Sequence, residues 1–441
     1  MIRLFAFCFS ILFIVSCTSQ KDILKPQQSL SGQLNTAFNK HHHIGFVLKE
    51  LGSDKVLFEQ NADKNFTAAS NTKLLNFYVG LNMLGDSIPS IQYLVKGDSL
   101  LVWPMADPTF LHPSFKEQKS FDFLKNSGKS IYIITGRYKG EKFGPGWSWD
   151  DYNESFQTEI TDFPLYGNVV SCEQDSVGGL KFSPDLASLY FSELSTSTTA
   201  TTIKRNITGN NLVLPANLKV GYQQSLPISF NKNILESLLT DTLLATGLIT
   251  SSVQTLPWRP VPAQARVIYS AKATDVYAKM LQDSDNFIAE ELLLNYAAAN
   301  KMEMNGKTLI KYATKYFPDL PSSYQWADGS GLSRLNLVTP EMMINVLEKI
   351  KAKVTDEQQL FSLFAAGGKS GTLKHMFTAS PETFIYAKSG SLTNSYNLSG
   401  YLIGKSGKRY VFSYLNNNFL KPSKEVKAEV ERFLTFVHDH Y

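Results

Sequence analysis

Three short patterns combine hydroxyl, amine and amide side chains in spacings that suit nucleophilic catalysis. The first, Ser-x-x-Lys, occurs at residues 70–73 and again at residues 229–232. Residues three apart share a helix face, and a neutral, buried lysine can accept the proton that keeps a serine hydroxyl a poor nucleophile. Ser70 opens a segment with helical periodicity, whereas Ser229 follows Leu-Pro in a strand-rich region. The pattern therefore favours Ser70 as the nucleophile, with an ordinary helix cap as the alternative.

Two further polar patterns follow later in the chain. Ser-Asp-Asn at residues 284–286 brings a hydroxyl and an amide to the start of an amphipathic helix, where it could also be a simple cap. Lys-Ser-Gly at residues 388–390 ends an apolar, strand-like stretch, and a fixed cation and hydroxyl there can bind a carboxylate. The same tripeptide at residues 369–371 and 405–407 lies in a loop and in a predicted hairpin turn. Only the copy at residues 388–390 follows a predicted strand.

The apolar periodicity predicts the elements that carry these patterns. A hairpin is predicted near residues 43–58 and a helix over 71–84, followed by short strands and turns up to about residue 257. Further helices are predicted over 273–282, 287–300, 306–316, 340–351 and 423–439, and further strands over 384–388, 396–403 and 410–415. We therefore predict an α/β (α+β) catalytic domain made of residues 31–85 and 261–441, interrupted by a β-rich insertion over residues 86–260.

Charge and composition exclude several classes of protein. The 441-residue chain has 43 basic and 39 acidic residues, so its net charge of +4 is too small for the basic face of a nucleic-acid-binding protein. Three cysteines cannot form a four-cysteine zinc site. The three consecutive histidines at residues 41–43 point to alternate faces of a strand, so they cannot all bind one ion. We expect no nucleic-acid partner, no metal and no cofactor.

The first residues of the sequence predict a location outside the cytoplasm. An apolar run over residues 4–15 follows Arg3 and is too short to span a bilayer, but it suits a signal peptide over residues 1–16. The run ends beside Cys17 in a sequence that resembles a bacterial lipobox, so we predict lipidation of Cys17, with ordinary cleavage nearby as the alternative. Residues 17–30 then form a tether to a membrane in the bacterial envelope, with the protein in the periplasm. Cys172 is left as a small buried apolar residue.

Taken together and in this order, the three patterns resemble the motif set of penicillin-binding proteins and class A β-lactamases. The long gap between the first and second motifs is similar to the D-alanyl-D-alanine carboxypeptidase/endopeptidase family of the penicillin-binding protein 4 type, which consists of serine-type D,D-peptidases. Segments at residues 106–108, 145–149, 326–334 and 371–373 resemble that family as well. The resemblance implies a penicillin-binding-protein/β-lactamase-like transpeptidase fold with an insertion between the first and second motifs.

The resemblance also implies roles for the reacting side chains. Ser70 would be the acylated nucleophile and Lys73 the base that activates it. Ser284 would pass the proton to the leaving amine, and Asn286 would hold both Lys73 and the substrate amide.

Substrate-binding roles follow from the same resemblance. Within the Lys388-Ser389-Gly390 tripeptide, the lysine and serine would bind the terminal carboxylate of a peptidoglycan stem peptide, with serine replacing the more common threonine. The backbone N–H groups of Ser70 and Ser391 would form the oxyanion hole.

A further pocket would bind the diamino acid of the stem peptide. Asp151 would pair with its distal ammonium, Phe156 would form an aromatic wall, and Arg334 would bind a carboxylate. The alternative is that Asp151 caps a turn and Arg334 makes a structural pair.

The predicted function is therefore that of a serine D,D-carboxypeptidase or endopeptidase. It would cleave D-Ala-D-Ala termini or D-Ala cross-links of peptidoglycan through an acyl-enzyme, and β-lactam antibiotics would inhibit it covalently. Two alternatives are a catalytically inactive peptidoglycan-binding scaffold of the same fold and a β-lactamase, which the long insertion disfavours.

Overall fold

The computed structural model describes residues 26–185, 195–248, 252–320 and 323–441. The predicted signal peptide and Cys17 lie outside these ranges. Within them, no helix combines the length and apolar character needed to cross a membrane.

The described residues form ten α-helices and nineteen strands, in runs of strands and runs of helices. The helices are α1 (Pro26–Leu34), α2 (Lys73–Met83), α3 (Lys119–Lys125), α4 (Lys232–Leu244), α5 (Ala273–Gln282), α6 (Asn286–Ala299), α7 (Gly306–Ala313), α8 (Pro340–Lys353), α9 (Glu357–Leu363) and α10 (Ser423–His440). The strands are β1 (His43–Glu50), β2 (Val56–Gln60), β3 (Phe66–Thr67), β4 (Ser87–Lys96), β5 (Ser99–Pro104), β6 (Ser130–Thr135), β7 (Val169–Gln174), β8 (Leu180–Ser183), β9 (Ser195–Ser197), β10 (Lys204–Arg205), β11 (Leu212–Pro215), β12 (Gln223–Pro227), β13 (Gln254–Pro257), β14 (Arg266–Lys272), β15 (Leu337–Val338), β16 (Ala365–Ala366), β17 (Ile385–Leu392), β18 (Ser395–Ile403) and β19 (Arg409–Asn417).

An antiparallel central sheet joins the two ends of the chain. Its strand order is β16-β17-β18-β19-β1-β2. The first strand, β1, pairs with the last strand, β19, from His43 opposite Asn417 to Glu50 opposite Tyr410. The predicted strands over 384–388, 396–403 and 410–415 are therefore present as β17, β18 and β19.

Helices cover both faces of this sheet, as the alternation of buried side chains along β1 requires. Val47 packs into a core that includes side chains of α2, α5, α6, α7, α8 and α9. Its neighbours Phe46 and Leu48 pack on the opposite face against α1 and α10. Because α2 and α6 lie in the first core and β17 is a strand of the central sheet, the three sequence motifs belong to one packed body. The mixed helix-and-sheet fold class predicted from the sequence is confirmed.

The segment between the first two motifs forms sheets of its own. The largest has the strand order β13-β6-β5-β4-β14, and smaller sheets have the orders β12-β7-β8 and β10-β11-β9. The strand β14 pairs with β4, so this sheet continues past residue 260, where the sequence analysis placed the end of the insertion. Any division of the chain into domains must keep these two paired strands together. Cys172 is buried in β7, as predicted, and burial raises the pKa of its thiol to about 11.

Candidate active site

A cleft of about 420 Å³ lies where the start of α2, the start of α6 and the edge of β17 meet. It brings most of the predicted site residues together. Its lining consists of Ser70, Gly146, Ser148, Asp151, Phe156, Gln157, Ser284, Asn286, Gly331, Leu332, Arg334, Thr372, Ser389, Ser391, Leu392 and Thr393. Lys73 and Lys388 are fully buried beside it.

Ser70 lies in the 3-10 helix Ala69–Thr72 that leads directly into α2. Lys73 is the first residue of α2, and its side chain extends along this turn toward Ser70. Its Nζ lies 2.9 Å from Ser70 Oγ. Burial lowers the pKa of Lys73 to about 8. About a tenth of this lysine is therefore neutral at pH 7, far more than for an ordinary lysine, and the neutral form is the one that can act as a base on the serine.

Further oxygen atoms fix the orientation of the lysine. Lys73 Nζ lies 2.6 Å from Asn286 Oδ1 and 2.6 Å from the carbonyl oxygen of Ser330. Both of these oxygens can only accept hydrogen bonds. A neutral amine has two N–H groups and one lone pair, so donation to these two oxygens leaves the lone pair for the hydroxyl of Ser70.

The second motif lies at the start of α6. Asp285 caps this helix by accepting from the backbone N–H of Ile288, which makes Asn286 its first residue. Ser284 precedes the cap with a φ of 62°, in the left-handed region, and lines the cleft. Asn286 Nδ2 donates to the backbone oxygen of Phe156 at 3.0 Å, so the segment between the first two motifs helps to orient this amide.

The third motif lies on β17. Lys388 Nζ donates to the carbonyl oxygen of Ser389 at 2.7 Å, beneath the cleft rather than in its lining. Burial, and secondarily the positive charge of Lys73, hold the pKa of Lys388 well below its usual value. Ser389 Oγ donates to Thr372 Oγ1 at 2.6 Å, so a pair of hydroxyls faces the cleft where the sequence analysis expected a cation and one hydroxyl.

Two glycines allow the close approach of backbone to Ser70. A Cβ at Gly390 would lie about 3.0 Å from both Ala68 O and Ser70 N, a distance shorter than carbon atoms normally reach. Gly331 has a φ of +86°, and a Cβ there would lie 1.9 Å from Ala69 O. These glycines bring β17 and the loop over residues 326–336 directly against the turn that carries the serine.

The residues predicted to bind the diamino acid line one side of the same cleft. Asp151 lies in the 3-10 helix Trp149–Asn153, and burial together with Asp150 raises the pKa of its carboxyl. Phe156 is 44% exposed. Arg334 donates to the carbonyl oxygen of Thr393 at 3.1 Å.

Several residues of the site were not assigned a role from the sequence. Thr372 lies in a segment that resembles the family, which was the available signal. The carbonyl of Ser330 and the buried carboxyl of Glu290, which accepts from the N–H of Ser330 at 2.7 Å, carry no signal of their own, because backbone acceptors and their partners leave no pattern in a sequence.

The other copies of the sequence patterns lie outside the cleft. The second Ser-x-x-Lys, at residues 229–232, makes hydrogen bonds and an ion pair with other side chains. Ser229 Oγ donates to Glu159 Oε1 at 2.7 Å and accepts from Lys142, while Lys232 Nζ lies 3.8 Å from Glu236 Oε1. The Lys-Ser-Gly at residues 405–407 lies in the turn between β18 and β19. Among residues 26–185, 195–248, 252–320 and 323–441, no group of three His, Cys, Asp or Glu side chains could hold a metal ion.

Comparisons with known proteins show the family of the chain. The model of the D-Ala-D-Ala carboxypeptidase 3 (S13) family matches residues 27–437. The chain is 22% identical to a D-alanyl-D-alanine carboxypeptidase of Haemophilus influenzae over 434 residues, which cover 90% of each protein.

Solved structures give the same result for the fold. Penicillin-binding protein 4 of Haemophilus influenzae matches with a TM-score of 0.74 and 21% identity, over 94% of this chain and 98% of that one. Its complex with a β-lactam matches with a TM-score of 0.66 and 18% identity, over 95% of this chain and 100% of that one.

Proposed function

Because the chain belongs to the D-Ala-D-Ala carboxypeptidase 3 (S13) family, we propose that it is a serine D,D-peptidase that acts on peptidoglycan stem peptides and is acylated by penicillins. The observation that carries the proposal is the 2.9 Å contact between Ser70 Oγ and the buried Nζ of Lys73, whose pKa is lowered to about 8. It places a nucleophile and its base together in a cleft, which an inert binding scaffold does not require.

The first step forms the acyl-enzyme. Neutral Lys73 takes the hydroxyl proton of Ser70 as Oγ attacks the carbonyl carbon of the penultimate D-alanine. The C–N bond then breaks, and the proton held by Lys73 passes through the hydroxyl of Ser284, which lines the cleft, to the leaving amine, so that Lys73 is neutral again. A β-lactam ring opens by the same attack and leaves its acyl group on Ser70.

The second step is hydrolysis. Water attacks the ester on Ser70. The reaction regenerates the hydroxyl of Ser70 and releases the shortened peptide with a new carboxyl terminus. The negative charge on the carbonyl oxygen in both steps would be stabilised by the backbone N–H groups of Ser70 and Ser391, which are held together by the close approach at Gly390.

Binding of the substrate carboxylate is proposed for the hydroxyls of Ser389 and Thr372. They lie in the cleft lining, and Lys388 lies behind them. The amine of this lysine would act through the floor of the cleft rather than by direct contact, and a bound carboxylate would favour its protonated form. Asp151, Phe156 and Arg334 are proposed to bind the side chain of the stem diamino acid.

The proposed location is the bacterial envelope. Its support is the apolar run over residues 4–15, the cysteine at position 17, and a substrate that lies outside the cytoplasm. We propose that residues 1–16 are removed as a signal peptide and that lipid on Cys17 holds the protein to a membrane in the periplasm.

Covalent labelling tests the function. Purified protein incubated with a fluorescent penicillin and run on a denaturing gel should retain the label, and Ser70→Ala should not. Ser229→Ala is the matched control, because Ser229 heads the other Ser-x-x-Lys, and it should label like the wild type. Absence of label on folded wild-type protein would favour the inactive scaffold. Rapid loss of label with turnover of penicillin, and no release of D-alanine from a D-Ala-D-Ala peptide, would favour a β-lactamase.

A further inference from the structure

The base Lys73 depends on a loop that two buried carboxyl groups hold in place. The carbonyl of Ser330, which accepts from Lys73 Nζ, belongs to the same peptide unit as the N–H of Gly331. That N–H donates to Asp328 Oδ1 at 2.8 Å, and Asp328 Oδ2 accepts from the N–H of Ser333 at 2.7 Å. The direction of the Ser330 carbonyl is therefore fixed from the other side of its own peptide bond.

Glu290 fixes the same loop from α6. Its Oε1 accepts from the N–H of Ser330 at 2.7 Å and its Oε2 accepts from the N–H of Gly329 at 3.2 Å. The side chain is 7% exposed, so loss of its oxygen atoms would leave two buried N–H groups without their acceptor. The loop packs closely against α6 at Gly329, where there is no room for a side chain, because a Cβ there would lie 2.6 Å from Ala289 O.

Glu290 also lies on the same helix as Asn286, the other residue of α6 that helps to orient Lys73. Asn286 and Glu290 are four residues apart on α6, and residues with this spacing share one face of a helix. Asn286 accepts from Lys73 directly, and Glu290 holds the loop whose carbonyl accepts from Lys73. One turn of α6 thus controls both acceptors that direct the lone pair of the lysine toward Ser70.

We infer that Glu290 is a positioning residue for the base Lys73, acting through the backbone of Gly329 and Ser330. The inference rests on the proposed function. It assigns a task to a carboxyl group that lies outside the three sequence motifs and does not touch the nucleophile.

The charged groups around this pair define what a pH experiment will report. Lys73 is faced by Asp328, Asp285 and Glu290, which favour its charged form, and it lowers the pKa of Lys388 on β17. The pKa of Glu290 is raised to about 8, mainly by burial and then by Asp328. Within the described residues, the charge of Glu290 also raises the pKa of Glu291 on the same helix and of Tyr138 on the segment after β6.

The test is the rate of penicillin acylation as a function of pH. In the wild type the rate should rise with pH through a midpoint near 8, because only neutral Lys73 can take the proton from Ser70. Glu290→Gln keeps the length of the side chain but removes its charge. The maximal rate should fall about tenfold or more, because the base is displaced. The rising limb should also move to lower pH, because Glu290, which is partly ionised near pH 8, no longer favours the charged form of Lys73.

Two matched variants separate the effect of the charge of Glu290 from the effect of its side-chain length and from a general loss of stability. Glu290→Asp keeps the charge but shortens the side chain, so its maximal rate should fall while the rising limb stays near that of the wild type. Glu291→Gln alters the adjacent buried glutamate, which accepts from the N–H of Thr161 and not from the loop. Its maximal acylation rate and the pH of its rising limb should both equal those of the wild type. Thermal unfolding of each variant shows that the comparison is made on folded protein.

The outcomes that overturn the inference are specific. Wild-type rate and pH profile in Glu290→Gln would overturn it, and so would a loss that is equal at every pH and is matched by Glu291→Gln. Wild-type protein that takes no label at all would overturn the proposed function, and the inference with it.

Discussion

Individual residues of the site are placed by steric fit as much as by hydrogen bonds. Gly331 is in the left-handed region, and its Cα lies so close to the backbone of Ala69 that no side chain fits. The loop that holds Lys73 and the turn that carries Ser70 are therefore in direct backbone contact. This contact gives a structural reason for the glycine at position 331, in the segment over residues 326–334 whose sequence resembles the family.

Replacement of Gly331 by alanine should abolish most penicillin acylation. The new Cβ would lie 1.9 Å from Ala69 O, so the loop or the serine turn must move, and a displacement of about 1 Å at a reacting group can cost about 100-fold in rate. The control is Gly52→Ala, which has a similar φ of +78° but no atom within 4 Å of its Cβ. Both variants carry the same backbone strain, so equal loss of acylation in the two would contradict the steric explanation. The measurement is the labelling rate with fluorescent penicillin.

At the scale of elements, the sequence predicted local structure better than distant pairing. The helix predicted over 273–282 is present with those bounds as α5, because its apolar spacing and length are local properties. The pairing of β14 with β4 was not predicted, because residues far apart in the chain form it and the alternation of one strand does not name its partner. The same limit applies to the site: Ser70 and Lys73 share one helical turn, whereas the loop that Glu290 holds depends on contacts between distant segments.

The 3-10 helix Trp149–Asn153 gives a prediction about selectivity. If Asp151 binds the distal ammonium of the stem diamino acid, Asp151→Asn should lower hydrolysis of peptides with that ammonium by about 10- to 100-fold, in keeping with about 1.5–3 kcal/mol for a charge-assisted hydrogen bond. Penicillin acylation should stay close to that of the wild type. The measurement is D-alanine release from peptides with and without the ammonium.

The control for that experiment is the neighbouring residue. Asp150 is exposed and is not part of the cleft lining, so Asp150→Asn should leave hydrolysis of both peptides unchanged. Equal loss on both peptides in Asp151→Asn would mean that the residue supports the 3-10 helix rather than the substrate.

At the scale of the whole molecule, one folded body combines residues from both ends of the chain with residues from the segment between the motifs. The helix α1 packs with α10 on one face of the central sheet, so the described part of the chain begins against its last helix. Phe156, from between the motifs, supplies the oxygen that orients Asn286. The family and the fold class were predictable from the order of the motifs, whereas this dependence of Asn286 on a distant backbone oxygen was not.

The proposed anchor predicts how the whole molecule partitions. Wild-type protein expressed in a bacterial host should sediment with membranes, and Cys17→Ala should remain in the soluble fraction, because a lipid chain contributes about 0.8 kcal/mol per buried CH₂ group. Cys172→Ala is the control, since that thiol is buried in β7, and it should sediment like the wild type. Unchanged sedimentation of Cys17→Ala would contradict lipidation at this residue.

The pairing of β1 with β19 also sets an order in time. A chain that emerges from its N-terminus produces β1 and β2 early, but β1 lacks its second neighbour until residues 409–417 have followed. Until then that edge exposes unpaired backbone groups, which other chains can pair with. Ser70 and Lys73 are likewise made early and meet Asn286 and Ser389 only after most of the chain exists. The proposed hydrolytic site is therefore among the last features that the chain completes, and a partly made chain lacks the full set of side chains with which the finished protein is proposed to cut the wall.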